Sequence, residues 1–174
     1  MTRSELEHLI RAAGAIAEDD EIVIIGSQAV LGQYPDAPAS LRASMEAGLF
    51  PRNRPERAEL MDGAIGEGSR FHEQFGYYAQ GVGEDTAVLP RGWQKRLVRI
   101  KNFNSGGVEG LCLEVHDLAI SKYVAGREKD LSFTRALARH ALTSEAKLLE
   151  RLLSTRLERR LARLVKGRIE RDFA

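Results

Sequence analysis

Apolar positions recur along this chain at two periods, and each change of period marks a new element. Leu6, Leu9, Ile10 and Ala13 follow at helical spacing behind Ser4-x-x-Glu7, a capping-box pattern. They predict an opening helix that Gly14 or the acidic run EDDE ends. From Glu21 to Ile25 the run EIVII is continuous and β-branched, which predicts a strand buried on both faces. Gln28 to Gly32 begins a helix that the stretch YPDAP breaks, and a second strand is expected within residues 41–50, ended by Pro51. RPERAELMDGAIGEG reads as a helix with Pro55 near its first turn.

FHEQFGYYAQGVGEDTAVLPRGW keeps no steady period and is expected to be a loop with short extended pieces. Alternation returns from Lys95 to Phe103. Asn104-Ser105-Gly106-Gly107 then makes a hairpin turn, with Gly110 to Val115 as the returning strand. Asp117 is the expected N-cap of a helix over LAISKYVAGREKD, and a further helix restarts near Ser132. From Ser144 to Arg171 a single amphipathic helix is predicted. Leu148, Leu152, Leu161 and Val165 lie on its broad apolar face, with Arg156, Arg159, Arg160 and Arg163 opposite.

With 174 residues, 43% hydrophobic and 29% charged, the chain is long enough for one globular domain with a helical appendage. Its one cysteine, Cys112, excludes an intramolecular disulfide, and four scattered histidines without HxH or HExxH spacing argue against structural zinc. No apolar stretch approaches the roughly 20 residues of a membrane span, and MTRSELEHLI is not a signal peptide, so a cytoplasmic protein is expected. The net charge of +1 hides a division: residues 1–90 hold 7 basic and 15 acidic side chains, residues 91–174 hold 19 and 10. Either a basic face attracts phosphate-rich partners, RNA at the C-terminal arginines among them, or the two halves face each other within one molecule or across a homodimer.

The chemistry suggested by the pieces is phosphate binding. A strand that ends in Gly26-Ser27 at the start of a helix offers backbone N–H groups and a hydroxyl to a phosphate. In SMEAGLFP, Glu46 stands on the next strand, where metal-dependent phosphoryl chemistry wants two carboxylates at i and i+2. The i+2 position is Gly48. In HDLAISKYVAGREKD, Lys122 would meet a phosphate as a point charge and Arg127 as a fork, with Asp130 tethering either. A solvated, charged helix end explains the same residues by spacing alone.

Taken in order, GSQAVLG, then S-x-E-A-x-L-x-P, then DLAISKYVAGREKD resembles the nucleotidyltransferase-like proteins of the DNA polymerase beta superfamily. The branch it is most similar to is a small bacterial group related to the AbiEii toxins of toxin–antitoxin systems. The likeness runs from about Glu21 to Asp130 and takes in GYYAQGV and TAVLPRGWQKRLV. It implies an α/β (α+β) protein with a minimal nucleotidyltransferase fold, a mixed sheet flanked by helices, over residues 1–130. Residues 131–174 would form a helical C-terminal extension packed on it.

By the resemblance, Gly26 and Ser27 are the phosphate-binding turn, and Glu46 is the first metal carboxylate. Lys122 is the lysine of the third motif, followed by Arg127 and Asp130. Catalytic roles then fall to Ser27, Glu46, Lys122 and Asp130, and nucleotide contacts to Gly26, Ser27, Lys122 and Arg127. A third carboxylate would be Glu114 or Asp117. The implied cofactors are Mg2+ and a nucleoside triphosphate, and the implied partners are a nucleotide and a cognate toxin–antitoxin protein. Two readings follow. One is an enzyme that transfers a nucleoside monophosphate to a hydroxyl acceptor. The other is a catalytically degenerate relative, lacking the second carboxylate at Gly48, that binds nucleotide or protein.

Overall fold

The β-branched run at Glu21 becomes the central strand of a five-stranded sheet. In the computed structural model, which describes residues 1–174, β1 (Glu21–Ile24) lies between β2 (Glu46–Pro51) and β5 (Glu109–Cys112). β2 is antiparallel to β1 and pairs Leu49 with Ile24, whereas β5 is parallel and pairs Cys112 with Ile24. β3 (Tyr78–Gly81) adds in parallel to β2, and β4 (Val98–Ile100) closes the other edge antiparallel to β5. The order is β3-β2-β1-β5-β4, a mixed sheet in an α+β fold. Ile22, Val23 and Ile24 are all buried, as a central strand covered on both faces requires.

α1 (Arg3–Ala17) buries Leu6, Leu9, Ile10, Ala13 and Ala17. Its capping box is made by Thr2 and Glu5 rather than by Ser4 and Glu7. Thr2 Oγ1 accepts from the Glu5 N–H at 3.2 Å, and Glu5 Oε2 accepts from the Thr2 N–H at 2.6 Å. Glu7 is drawn elsewhere: it accepts from Arg3 at 2.8 Å and from the hairpin residues Asn102 and Asn104 at 2.7 and 3.0 Å. The chain continues through a 3-10 turn at Ser27–Ala29 into α2 (Val30–Gln33), and later through α3 (Glu59–Ile65).

The stretch expected to be a loop with short extended pieces holds one such piece, β3, and, beyond that expectation, a short helix. α4 (Arg70–Phe75) is capped by Ser69, whose hydroxyl accepts from the His72 N–H at 3.2 Å, and it ends at Gly76 with φ 77°. β3 follows at once. Conversely, the strand expected over Lys95 to Phe103 shrinks to the three residues of β4, because Trp93–Arg96 is a 3-10 turn.

Four helices complete the chain: α5 (Val115–Ala125), α6 (Glu128–Arg139), α7 (Glu145–Leu153) and α8 (Arg159–Phe173). α5 is capped by Glu114, which accepts from the N–H groups of His116 and Asp117, so Asp117 lies inside the first turn instead of capping it. The helix expected to reach Asp130 stops at Gly126, whose φ of 66° is the left-handed C-terminal conformation that glycine adopts without strain. α6 starts afresh at Glu128, so residue 130 falls within it.

The single C-terminal helix is likewise two. The hydroxyls of Ser154 and Thr155 both donate to the Arg151 carbonyl, at 2.9 and 2.7 Å, and so take over an acceptor at the end of α7. α8 then starts in a new phase. Leu148, Leu152, Val165 and Ile169 are buried while Leu153 is 90% exposed. Burial of Val165 and Ile169 contributes about 1.5–3 kcal/mol each to docking α8. No helix is long and apolar enough to cross a membrane.

Candidate functional site

Beyond β1 the chain turns sharply against the middle of β2. The N–H groups of Ile25 and Gly26 both donate to the Gly48 carbonyl, at 3.0 and 3.3 Å. Gly26 is extended (φ −77°, ψ 179°), so its glycine is required by space: a Cβ there would stand 2.8 Å from the Gly48 nitrogen. Ser27 opens the 3-10 turn that leads into α2. Glu46 begins β2 on the same face as Gly48. Ser44 Oγ fixes that start, accepting from the Glu46 N–H and donating to its carbonyl, both at 3.1 Å.

The opposite wall comes from the α5–α6 corner. Lys122 sits on the last turn of α5, Arg127 follows Gly126, and Asp130 sits on the first turn of α6. Asp130 is 2% exposed and bonds both cations: Arg127 Nε at 2.6 Å, and Lys122 Nζ at 3.4 Å. Burial pushes the Asp130 carboxyl up, but the Arg127 hydrogen bond and the Lys122 charge outweigh it and hold it below the usual carboxylate range. Burial also pulls the Lys122 ammonium below its ordinary value, against the opposing pull of Asp130. Arg127 remains 61% exposed along its side chain.

These walls enclose one cleft of about 730 Å³. Gly26, Ser27, Glu46, Lys122, Arg127 and Asp130, separated by more than a hundred positions in sequence, all line it. Gly48 and Gln80, register partners on β2 and β3, line it as well. Burial, and after it the Glu46 charge, hold the Tyr78 phenol above its ordinary range. Tyr78 and Gln80 lie in GYYAQGV, within the family resemblance, but the sequence assigns them no role because the pairing of β3 to β2 is not legible in it.

Glu114 and Asp117 do not join the cleft. Glu114 caps α5 and bonds His116 Nδ1 at 2.6 Å. Asp117 is fully buried between Arg96 (2.8 Å) and Arg151 (3.2 Å). The donor set for magnesium is therefore thin. Glu46 is the one cleft carboxylate free of an ion pair, Asp130 is engaged by its two cations, and Gly48 has no side chain. No three of His, Cys, Asp and Glu gather into a metal-ligating group. The residues present do not fit a two-metal clamp, which needs several oxygen ligands from the protein.

Residues 4–155 match the model of a protein family described as nucleotidyltransferase of unknown function (DUF6036). α8 lies beyond the matched stretch. No curated protein and no solved structure gives a significant match.

Proposed function

Because the chain belongs to this family of nucleotidyltransferases of unknown function, we propose that its cleft binds a nucleoside triphosphate and holds it chiefly with protein cations. The triphosphate would lie between the N–H and hydroxyl of Ser27, beside Gly26, and the ammonium and guanidinium of Lys122 and Arg127. Glu46 faces the same space from β2. The observation that carries the reading is the convergence of these residues on one cleft, from four separate elements. The resemblance of the three motifs to the DNA polymerase beta superfamily supports the same assignment.

The solitary Glu46 favours the degenerate form of this activity over rapid transfer. Opposed to it are Lys122 and Arg127, with Asp130 cancelling part of their charge. Such a cleft attracts a polyanion without a metal, since paired cations and the donors of the Ser27 turn each lower the charge cost of a phosphate.

Calorimetric titration with ATP, GTP, CTP and UTP, each with Mg2+ and with EDTA, tests this. Expected is binding of at least one nucleotide that survives EDTA with less than about a tenfold loss, together with no label transferred from α-phosphate-labelled nucleotide. No binding in any condition sinks the reading. Mg2+-dependent labelling of a hydroxyl acceptor would establish the enzyme reading in its place.

A further inference from the structure

We propose that Gln28 is a positioning residue that turns the Ser27 hydroxyl toward a bound phosphate as a hydrogen-bond donor, an inference that rests on the nucleotide-binding reading of the cleft. Gln28 is fully buried, immediately after Ser27 in the 3-10 turn. Its Nε2 donates to Ser27 Oγ and to the Leu41 carbonyl, each at 3.3 Å. A carbonyl only accepts, so Leu41 decides which end of the amide faces this way. Ser27 Oγ must then be the acceptor of a Gln28 N–H, and its own proton is left for an acceptor outside the turn.

Two neighbouring cleft hydroxyls show what that orientation achieves. Ser121 Oγ donates to the Leu118 carbonyl at 2.7 Å, and Ser44 Oγ donates to the Glu46 carbonyl at 3.1 Å. Both protons are consumed within the protein. Ser27, on the turn that also supplies backbone donors, keeps its proton for an incoming oxygen. Gln28 also joins two walls of the cleft, because Leu41 belongs to the segment that leads into β2.

A second observation argues that this is not ordinary core packing. Gln28 Oε1 is buried with no hydrogen-bond partner. An orphaned buried acceptor weakens a fold, and an apolar side chain of the same length would remove it while leaving the Leu41 carbonyl without its donor. Glutamine here leaves one buried acceptor unpaired while ordering the residue beside it.

The test is a thermodynamic cycle of Gln28→Met, Ser27→Ala and the double variant. Thermal midpoint is read by calorimetry, and affinity by displacement of a fluorescent ATP analogue with ATP and with inorganic tripolyphosphate. Gln28→Met exchanges one orphaned acceptor for another, so it is expected to hold the midpoint nearly level while weakening both ligands about three- to tenfold, the size of one neutral hydrogen bond. In the Ser27→Ala background the same change is expected to alter affinity less than about twofold, since its target is gone. Unchanged affinity in Gln28→Met overturns the inference, as does a joint fall of midpoint and affinity that is independent of Ser27. If the unmodified protein binds neither ligand, the cleft reading fails and takes this inference with it. Wild-type binding with an uncoupled cycle removes this inference alone.

Discussion

Gly26 and Gly48 face each other backbone to backbone, but the two glycines are not equivalent. A Cβ on Gly26 would stand 2.8 Å from the Gly48 nitrogen, whereas one on Gly48 would rest 3.6 Å from the nearest Gly26 atom, an ordinary contact. Gly26→Ala must therefore push β1 from β2, and a loss of about 1–3 kcal/mol is expected in urea unfolding. Gly48→Asp should fold normally and place a second carboxylate two residues from Glu46. Its expected signature is Mg2+-enhanced nucleotide binding that the parent lacks. A Gly48→Asp protein indifferent to Mg2+ would show that Glu46 is not disposed to hold metal at all.

Replacing Lys122 would separate stability from ligand binding. Burial makes its charged form unfavourable in the fold, and Asp130 keeps Arg127 as a partner when the lysine is gone. Lys122→Met is thus expected to leave thermal stability level or higher. Nucleotide affinity should drop by about 10- to 100-fold, as for a charge-assisted hydrogen bond of roughly 1.5–3 kcal/mol. Parallel losses of both would mean that the ammonium serves the fold rather than a ligand.

How far this was legible in the sequence follows from where each signal was local. Gly26-Ser27, Glu46 and Lys122 each sit at the end or start of a strongly patterned element, so the turn, strand and helix could be placed without knowing the packing. β3 could not. It is four residues long, at a sheet edge, with Gly81 at its end, and its pairing to β2 is entirely non-local. The capping box was misplaced because [ST]-x-x-E occurs twice, two residues apart, and only tertiary contacts of Glu7 with Asn102 and Asn104 decide between them. The C-terminal leucines read as one face because nothing in their spacing reports that Ser154 and Thr155 capture the Arg151 carbonyl.

Asp117 was a candidate third carboxylate, and its surroundings assign it to the fold. Arg96 binds it through Nε and Nη2 at 2.8 and 3.0 Å from the segment before β4, and Arg151 reaches it from α7. Removing one member of such a buried group leaves the others uncompensated, so Asp117→Ala is expected to cost about 3–5 kcal/mol in chemical denaturation. Folded Asp117→Ala protein, held at low temperature, should bind ATP within about threefold of wild type because the carboxylate does not line the cleft. A selective loss of Mg2+-dependent binding without loss of stability would return Asp117 to the site.

Asp130 gives the cleft wall a defined sensitivity to acid. Its folded pKa is held below the unfolded one, so the unfolded chain takes up the proton first as pH falls. The stabilisation is fully present above about pH 4, the ordinary aspartate range, and is lost as pH drops through the lower folded value. Glu7, Asp19 and Glu114 are depressed as well, so the acid loss of the wild type has several sources, and the Asp130 share is the difference between two curves. Asp130→Asn should be less stable than wild type at neutral pH. The gap between the two urea stabilities should narrow steadily below about pH 4. Parallel curves across that range would mean that Asp130 has the same proton affinity folded and unfolded, and that Lys122 and Arg127 do not hold it as an ion. A gap that widened in acid would reverse the sign altogether and require a carboxyl kept protonated by burial.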